Sequence, residues 1–183
     1  MQASIETNRL ILRAVQEDDL QGIFELDSDP EVHRYLGKKP IKSFRESKAA
    51  IRYIRKQYEA DGIGRWAVID KRTNEFMGWS GLKYERKVRK EMHYYDLGYR
   101  LKQKFWGKGI ATEAALASLN YGFRTMGLEA IYAGAHVENI ASNKVLQKVG
   151  LKFIETFEYD NAPHNWYQIT KKEWQEKKPS VLY

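Results

Sequence analysis

Three short stretches carry residue types that could hold an anion or move a proton. In Phe105–Glu113 (FWGKGIATE), Gly107 and Gly109 flank Lys108 between a strand and a helix. Two glycines one residue apart let the backbone turn tightly and approach a ligand with no Cβ in the way. The N–H groups of the helix's first turn then face that space, backed by the positive end of the helix dipole. An anion such as a pyrophosphate is held there without a metal, and Lys108 adds a cation. The third glycine of a dinucleotide fingerprint and the Walker spacing with its Lys-Ser/Thr are both missing. The second stretch is Val137–Asn143 (VENIASN), with Asn139 at a strand end and Ser142 three residues on. It reads equally as a helix N-cap with Ser142 at N3. The third is Tyr94–Leu101 (YYDLGYRL), where Asp96 interrupts an apolar, aromatic strand against propensity. Asp96 is either a proton acceptor or the partner of Arg100 or another surface cation. His136 is a second candidate base, with a hydrogen-bonded structural role as its rival.

The elements that must position these residues follow from periodicity. Arg9–Val15 alternates as a first strand, and Asp18 and Asp19 open a short helix that Asp29-Pro30 stops. Ser43 and Glu46 have capping-box spacing for a helix ending near Asp61-Gly62. Arg65–Asp70, Phe76–Tyr84 and Tyr94–Leu101 read as an antiparallel meander, with Glu85–Glu91 as a charged connection. The basic run Arg86–Lys90 in it is expected to be a solvated hairpin tip rather than a docking site. Leu116, Leu119, Phe123 and Met126 continue a helix to Gly127. Ala130–Val137, Ala141–Val149, Leu151–Tyr159 and Asn165–Thr170 then read as strand, helix and a closing strand pair. The order is an α+β plan with a βαβ crossover in its second half. Alternation puts Asp96 on one face with Tyr94, Gly98 and Arg100, and Gly98 suits a bulge or a close backbone approach.

Composition bounds the rest. With 183 residues, 43% of them hydrophobic, the chain can bury a core, and nothing in it resembles a linker, so one domain over residues 1–183 is expected. Lys and Arg number 31 against 24 Asp and Glu, a balance of +7. That fits nucleic acid, a ribosome, a small anionic cofactor, or simply a soluble surface. The absence of cysteine removes disulfides, thiolate zinc sites and a Cys nucleophile. His33, His93, His136 and His164 lack metal-ligand spacing, so no metal is expected. The polar N-terminus and the lack of a membrane-length apolar run predict a cytoplasmic protein with no membrane partner.

QKFWGKGIATEA resembles the acyl-CoA pyrophosphate motif of GNAT acetyltransferases, whose pattern is Gln/Arg-x-x-Gly-x-Gly/Ala. NIASNKVLQKVGLKF, the opening TNRLILRAVQEDD, TNEFMGWSGL and YYDLGYRL are similar to segments of the RimJ/RimL-like branch, which acetylates ribosomal-protein N-termini. The similarity runs from about Arg9 to Thr170, with the motifs in the family's order. Lys104 stands at the Gln/Arg position, Leu151 replaces a Phe, and Asp96 stands where relatives carry Glu.

The resemblance implies one GNAT-type domain, core about 9–170, with a mixed, mostly antiparallel sheet and helices on both faces. It implies acetyl-CoA as co-substrate and an amine as acceptor. It places the cofactor against Leu97, Tyr99, Leu101, Trp106, Gly107, Lys108, Gly109, Ile110, Ala111, Thr112, Asn139, Ser142 and Lys144. Amine acetylation needs a deprotonated nitrogen, and an alkylammonium has a pKa of roughly 10.4. It also needs donors for the developing oxyanion and a proton for the departing thiolate. Asp96 is then the base, directly or through a water, and Ser142 the residue at the CoA sulfur. Two rivals are a non-catalytic acyl-CoA-binding module and a basic ribosome- or RNA-associated domain. A monomer and a homodimer fit equally.

Overall fold

The computed structural model describes residues 3–176. Its elements run β1 (Ile5–Glu6), β2 (Leu10–Ala14), α1 (Leu20–Asp27), α2 (Phe44–Asp61), β3 (Trp66–Asp70), β4 (Phe76–Glu85), β5 (Tyr94–Leu101), α3 (Ile110–Asn120), β6 (Ala130–His136), α4 (Ile140–Val149), β7 (Lys152–Tyr159), β8 (Ala162–Thr170) and α5 (Lys171–Glu176). They form one eight-stranded sheet in the order β1-β2-β3-β4-β5-β6-β8-β7. Every pairing is antiparallel except β5–β6, whose parallel ladder has the single rung Asp96↔Tyr132. The α+β plan with a mixed, mostly antiparallel sheet and helices on both faces is therefore what the chain builds.

Period-two alternation sorts the strands' side chains onto two cores. Leu10, Leu12, Trp66, Val68, Leu82, Leu97, Ile131 and Tyr167 point to the face covered by α3 and α4, where Ala114, Leu119, Leu146 and Val149 meet them. Ala67 and Ile69 point the other way, to Ile23 of α1 and Ile51 and Ile54 of α2. Each fully buried aliphatic side chain here contributes about 1.5–3 kcal/mol. The α1/α2 face also buries Asp19, Asp27 and Arg65 and half-buries Asp96, each held in an ion pair. None of the helices of the described residues is long and apolar enough to cross a membrane.

Several expectations are corrected. β1 and α5 were not foreseen, and β8 begins at Ala162 rather than Asn165. The α-helical ladder of α3 ends at Asn120, and Tyr121–Thr125 widens into a π turn before Gly127 (φ 68°). Gly122 lies in that turn, where a Cβ would meet Ile131 and Leu82 at 2.7 and 2.8 Å, so the wide turn seats backbone directly on the sheet. At α2 the Ser43 hydroxyl donates to Glu46 (2.8 Å) instead of capping an amide, while Gly62 closes the helix in the left-handed conformation as expected. The Glu85–Glu91 connection is exposed at Arg86, Lys87, Lys90 and Glu91, as expected of a solvated tip, but its two arginines are also tied down. Arg86 pairs with Asp61 and lies over Tyr84; Arg89 pairs with Glu91 and Glu155 and lies over Phe157 and Trp166.

Candidate active site

The β5–β6 seam organises the site. Beyond the Asp96↔Tyr132 rung the two parallel strands have no further ladder pair, so Leu97–Leu101 and Ala133–His136 run apart. The Lys102 amide donates to Met77 O on the β4 side, and the β4–β5 ladder is unbroken. Alternation then turns the amides of Tyr99 and Leu101 toward β6, into the opening, with Leu97 beside the last rung. Trp106, 45% exposed, donates its indole N–H to Leu101 O (2.8 Å) and so sits at the mouth of the gap.

At the end of β5 the chain passes through Gly107 (φ 70°) and Gly109 (φ 76°) into α3. A Cβ at Gly107 would touch nothing, so glycine is required there by conformation rather than by room. Gly109 is the N-cap of α3 and supplies no side-chain bond, and Ile110, Ala111 and Thr112 begin the helix. Their amides have no carbonyl within the helix to bind. Lys108 is exposed beside them. Glu113, the acid of the first turn, is tied to the N-terminal strands by Thr7 (2.6 Å) and by the Arg9 amide and side chain (3.0 and 2.6 Å). Burial pushes its carboxyl up, but those bonds outweigh burial and hold it below the usual range.

On the other side of the gap Asn139 caps α4 by accepting the Ser142 N–H (3.1 Å). The cap role read from the sequence is thus present. Ser142 also meets β5: the Tyr99 hydroxyl donates to Ser142 O (3.0 Å) and lies 3.1 Å from Ser142 Oγ. Burial pushes the Tyr99 phenol far up, so it stays a donor at neutral pH. Asn143, missed in the sequence, is buried and fully used. It donates to His136 O and Asn139 O (2.9 and 2.8 Å) and accepts from Asn165 and Tyr167 (2.9 and 2.7 Å), pinning the start of α4 to β6 and β8. Lys144 and Lys148 are exposed.

Asp96 sits on the opposite face, at the rung where the strands part. Its partner is the buried Arg65, not Arg100, which pairs with Asp27 (2.6 Å). Arg65 binds Asp96 Oδ2, donates to Asp96 O (2.7 Å), and also bonds Gly81 O. Gly98 is explained by the same guanidinium, since a Cβ there would lie 2.6 Å from Arg65 Nη2. Of the bulge or close approach that Gly98 suited, the close approach is present and the bulge is not, because Gly81↔Gly98 is a regular rung. His136 uses Nδ1 to accept the Glu138 N–H (3.1 Å) and stands near Tyr35 and His164, both at 5.4 Å between ring centroids.

A turn of positive-φ glycines with open amides, joined to a gap between parting strands, fits a long ligand with an anionic middle and a thin arm. Residues 9–152 match the family described as "Acetyltransferase (GNAT) domain". The chain belongs to the GNAT acetyltransferase family. It is 30% identical over 173 residues to a Bacillus subtilis protein named as the uncharacterized N-acetyltransferase YoaA, covering 91% of this chain and 96% of that protein. A GNAT-family acetyltransferase structure from Bacillus anthracis superposes with a TM-score of 0.77 at 25% identity, covering 93% of this chain and 99% of that one. The RimL ribosomal L7/L12 α-N-protein acetyltransferase, solved with coenzyme A, shares the fold at a TM-score of 0.75 and 19% identity, with 92% and 98% covered. The chain is accordingly an acyltransferase that uses acetyl-CoA.

Proposed function

We propose that the chain transfers an acetyl group to a primary amine, on a protein N-terminus or a small molecule, by direct transfer within a ternary complex. It does so as a cytoplasmic enzyme in the manner of the RimJ/RimL-like branch. The observation that carries this reading is the Tyr99–Ser142 contact, which sets two hydroxyls 3.1 Å apart across the β5–β6 gap. Acetyl-CoA supplies an activated acetyl group on a thioester. The first amides of α3, with Lys108, bind its diphosphate, and Trp106 and Asn139 border the arm. The Tyr99 and Leu101 amides face the thioester carbonyl. Ser142 offers a proton to the leaving sulfur while the Tyr99 hydroxyl, by donating to Ser142 O, holds that residue beside the gap. Asp96, with Oδ2 held by Arg65, takes the acceptor's proton through a water at Oδ1. With no cysteine in the chain, direct transfer is the simplest route.

The test is thiol release across a panel of amines and N-terminal peptides, with the acetylated product identified by mass spectrometry. Ser142→Ala and Asp96→Asn each lower kcat by about 100-fold or more, with Tyr99→Phe lowering it less. CoA affinity stays nearly unchanged in all three. If no amine releases thiol while CoA still binds, the chain is a binding module and the catalytic reading is wrong.

A further inference from the structure

We infer that Arg9 is a positioning residue for the anion site: it aims the Gly109 amide and neutralises the carboxylate nearest to it. The inference rests on the reading that the glycine turn holds the diphosphate of CoA. Arg9 lies just before β2, far away in sequence, yet it reaches the turn at two points. Nη1 donates to Lys108 O (2.9 Å), and Nε donates to Glu113 Oε2 (2.6 Å). Nη2, unused in either bond, comes within 3.4 Å of where a Cβ on Gly109 would stand.

The first bond has a geometric consequence. The Lys108–Gly109 peptide is trans, as are all peptides of the described residues. In a trans peptide the C=O and the following N–H point in opposite directions. Fixing Lys108 O toward Arg9 therefore fixes the Gly109 N–H away from it, toward the open side of the turn. Gly109, free of a Cβ on one side of this peptide, would otherwise let it flip at little cost. The second bond acts through charge. Glu113 is the only acid in the first turn of α3, and an unpaired carboxylate there would repel a diphosphate. Thr7 and the Arg9 backbone bind Oε1 and Arg9 Nε binds Oε2, so both oxygens are turned toward the N-terminal strands. As a stabilising ion pair alone the contact would be minor, because the Arg9 side chain is 51% exposed.

The experiment is isothermal titration of Arg9→Ala with three probes: CoA, 3′-dephospho-CoA, and pantetheine, which lacks the diphosphate. Loss of both bonds weakens CoA and dephospho-CoA by about tenfold. Pantetheine binding stays within about twofold, and the Tm of the free protein moves by only a degree or two. Arg9→Lys keeps the charge without the two-point hold and recovers less than half of the loss. Unchanged CoA affinity in Arg9→Ala, or pantetheine weakened by the same factor, overturns the proposal. If the wild-type protein itself binds CoA no better than pantetheine, the glycine turn holds no diphosphate, and the reading beneath the proposal fails first. Should Arg9→Ala not fold, Thr7→Val removes one of Glu113's donors and is expected to weaken CoA by about threefold with pantetheine unaffected.

Discussion

Helices α3 and α4 begin within reach of the same gap, yet their first turns are finished in opposite ways. At α4 the chain closes its own terminus: Asn139 accepts the Ser142 amide, and Asn143 ties the cap carbonyl to the neighbouring strands. At α3 the cap is a glycine with no side chain to offer, and the amides of Ile110, Ala111 and Thr112 are left facing outward. A terminus that satisfies itself contributes to stability, whereas one left open is available to a ligand. α5 follows the closed pattern, with Glu173 accepting from the Thr170 amide and hydroxyl, each at 2.9 Å.

The sharpest way to break this contrast is to spoil the open terminus. Gly109→Val forces a β-branched residue to φ 76°, at a cost of at least about 1–2 kcal/mol. It also crowds Arg9 Nη2, so the turn reorganises and CoA binding is lost. At a CoA concentration 100 times Kd the wild-type protein gains about 2.7 kcal/mol of stability, read as a Tm rise. In the valine variant that rise disappears, while Gly109→Asn, which tolerates the left-handed conformation, keeps part of it. A valine variant that CoA stabilises as well as wild type would contradict the reading of α3 as a ligand port.

Opening the closed terminus has a smaller effect of a different kind. Asn139→Ala removes a cap and costs about 1 kcal/mol of folding stability. The signature is a lower urea midpoint at constant m-value, and Asn139→Asp should restore it. An alanine variant of unchanged stability would mean that α4 is held by Asn143 alone.

The smallest effect concerns α5. The hydrogen bond from Lys152, followed by those from Thr170, holds the Glu173 carboxyl down at about 2, against about 4.3 for an unperturbed Glu. A folded-state value below the unfolded one adds stability that is fully present above pH 4.3. It is lost as the pH falls toward 2. Glu173→Gln should therefore be less stable near neutrality and lose less of its stability between pH 4.5 and 2. If the two acid-unfolding curves run parallel through that window, Glu173 does not hold α5.

What could be read in the sequence was local. The bounds of β5 followed from alternation, and the glycine turn and the Asn139 cap each lie within four residues of what they serve. What escaped depended on distance along the chain. Asp96 was visible as an oddity, but its partner Arg65 lies 31 positions upstream, and that same guanidinium is why residue 98 is glycine. The Tyr99–Ser142 pair spans 43 positions and the Arg9–Glu113 pair 104. No periodicity signals such contacts, because they exist only once the sheet brings β2 beside β3 and α3 across β4 and β5. Strand β1, two residues long, gives alternation nothing to repeat. Arg89 appeared as one more charge in a basic run, and only the fold reveals that it rests on Phe157 and Trp166.

The lone Asp96↔Tyr132 rung has a mechanical side. Strands β1–β5 form one plate and β6–β8 another, and within the sheet a single rung joins them. Bending the sheet is therefore cheapest along this line, where the fewest hydrogen bonds must be strained. A ligand arm lying in the gap would stitch both plates together over the length of the opening. The donor would then act as a splint as well as a reactant, and its departure would restore the hinge.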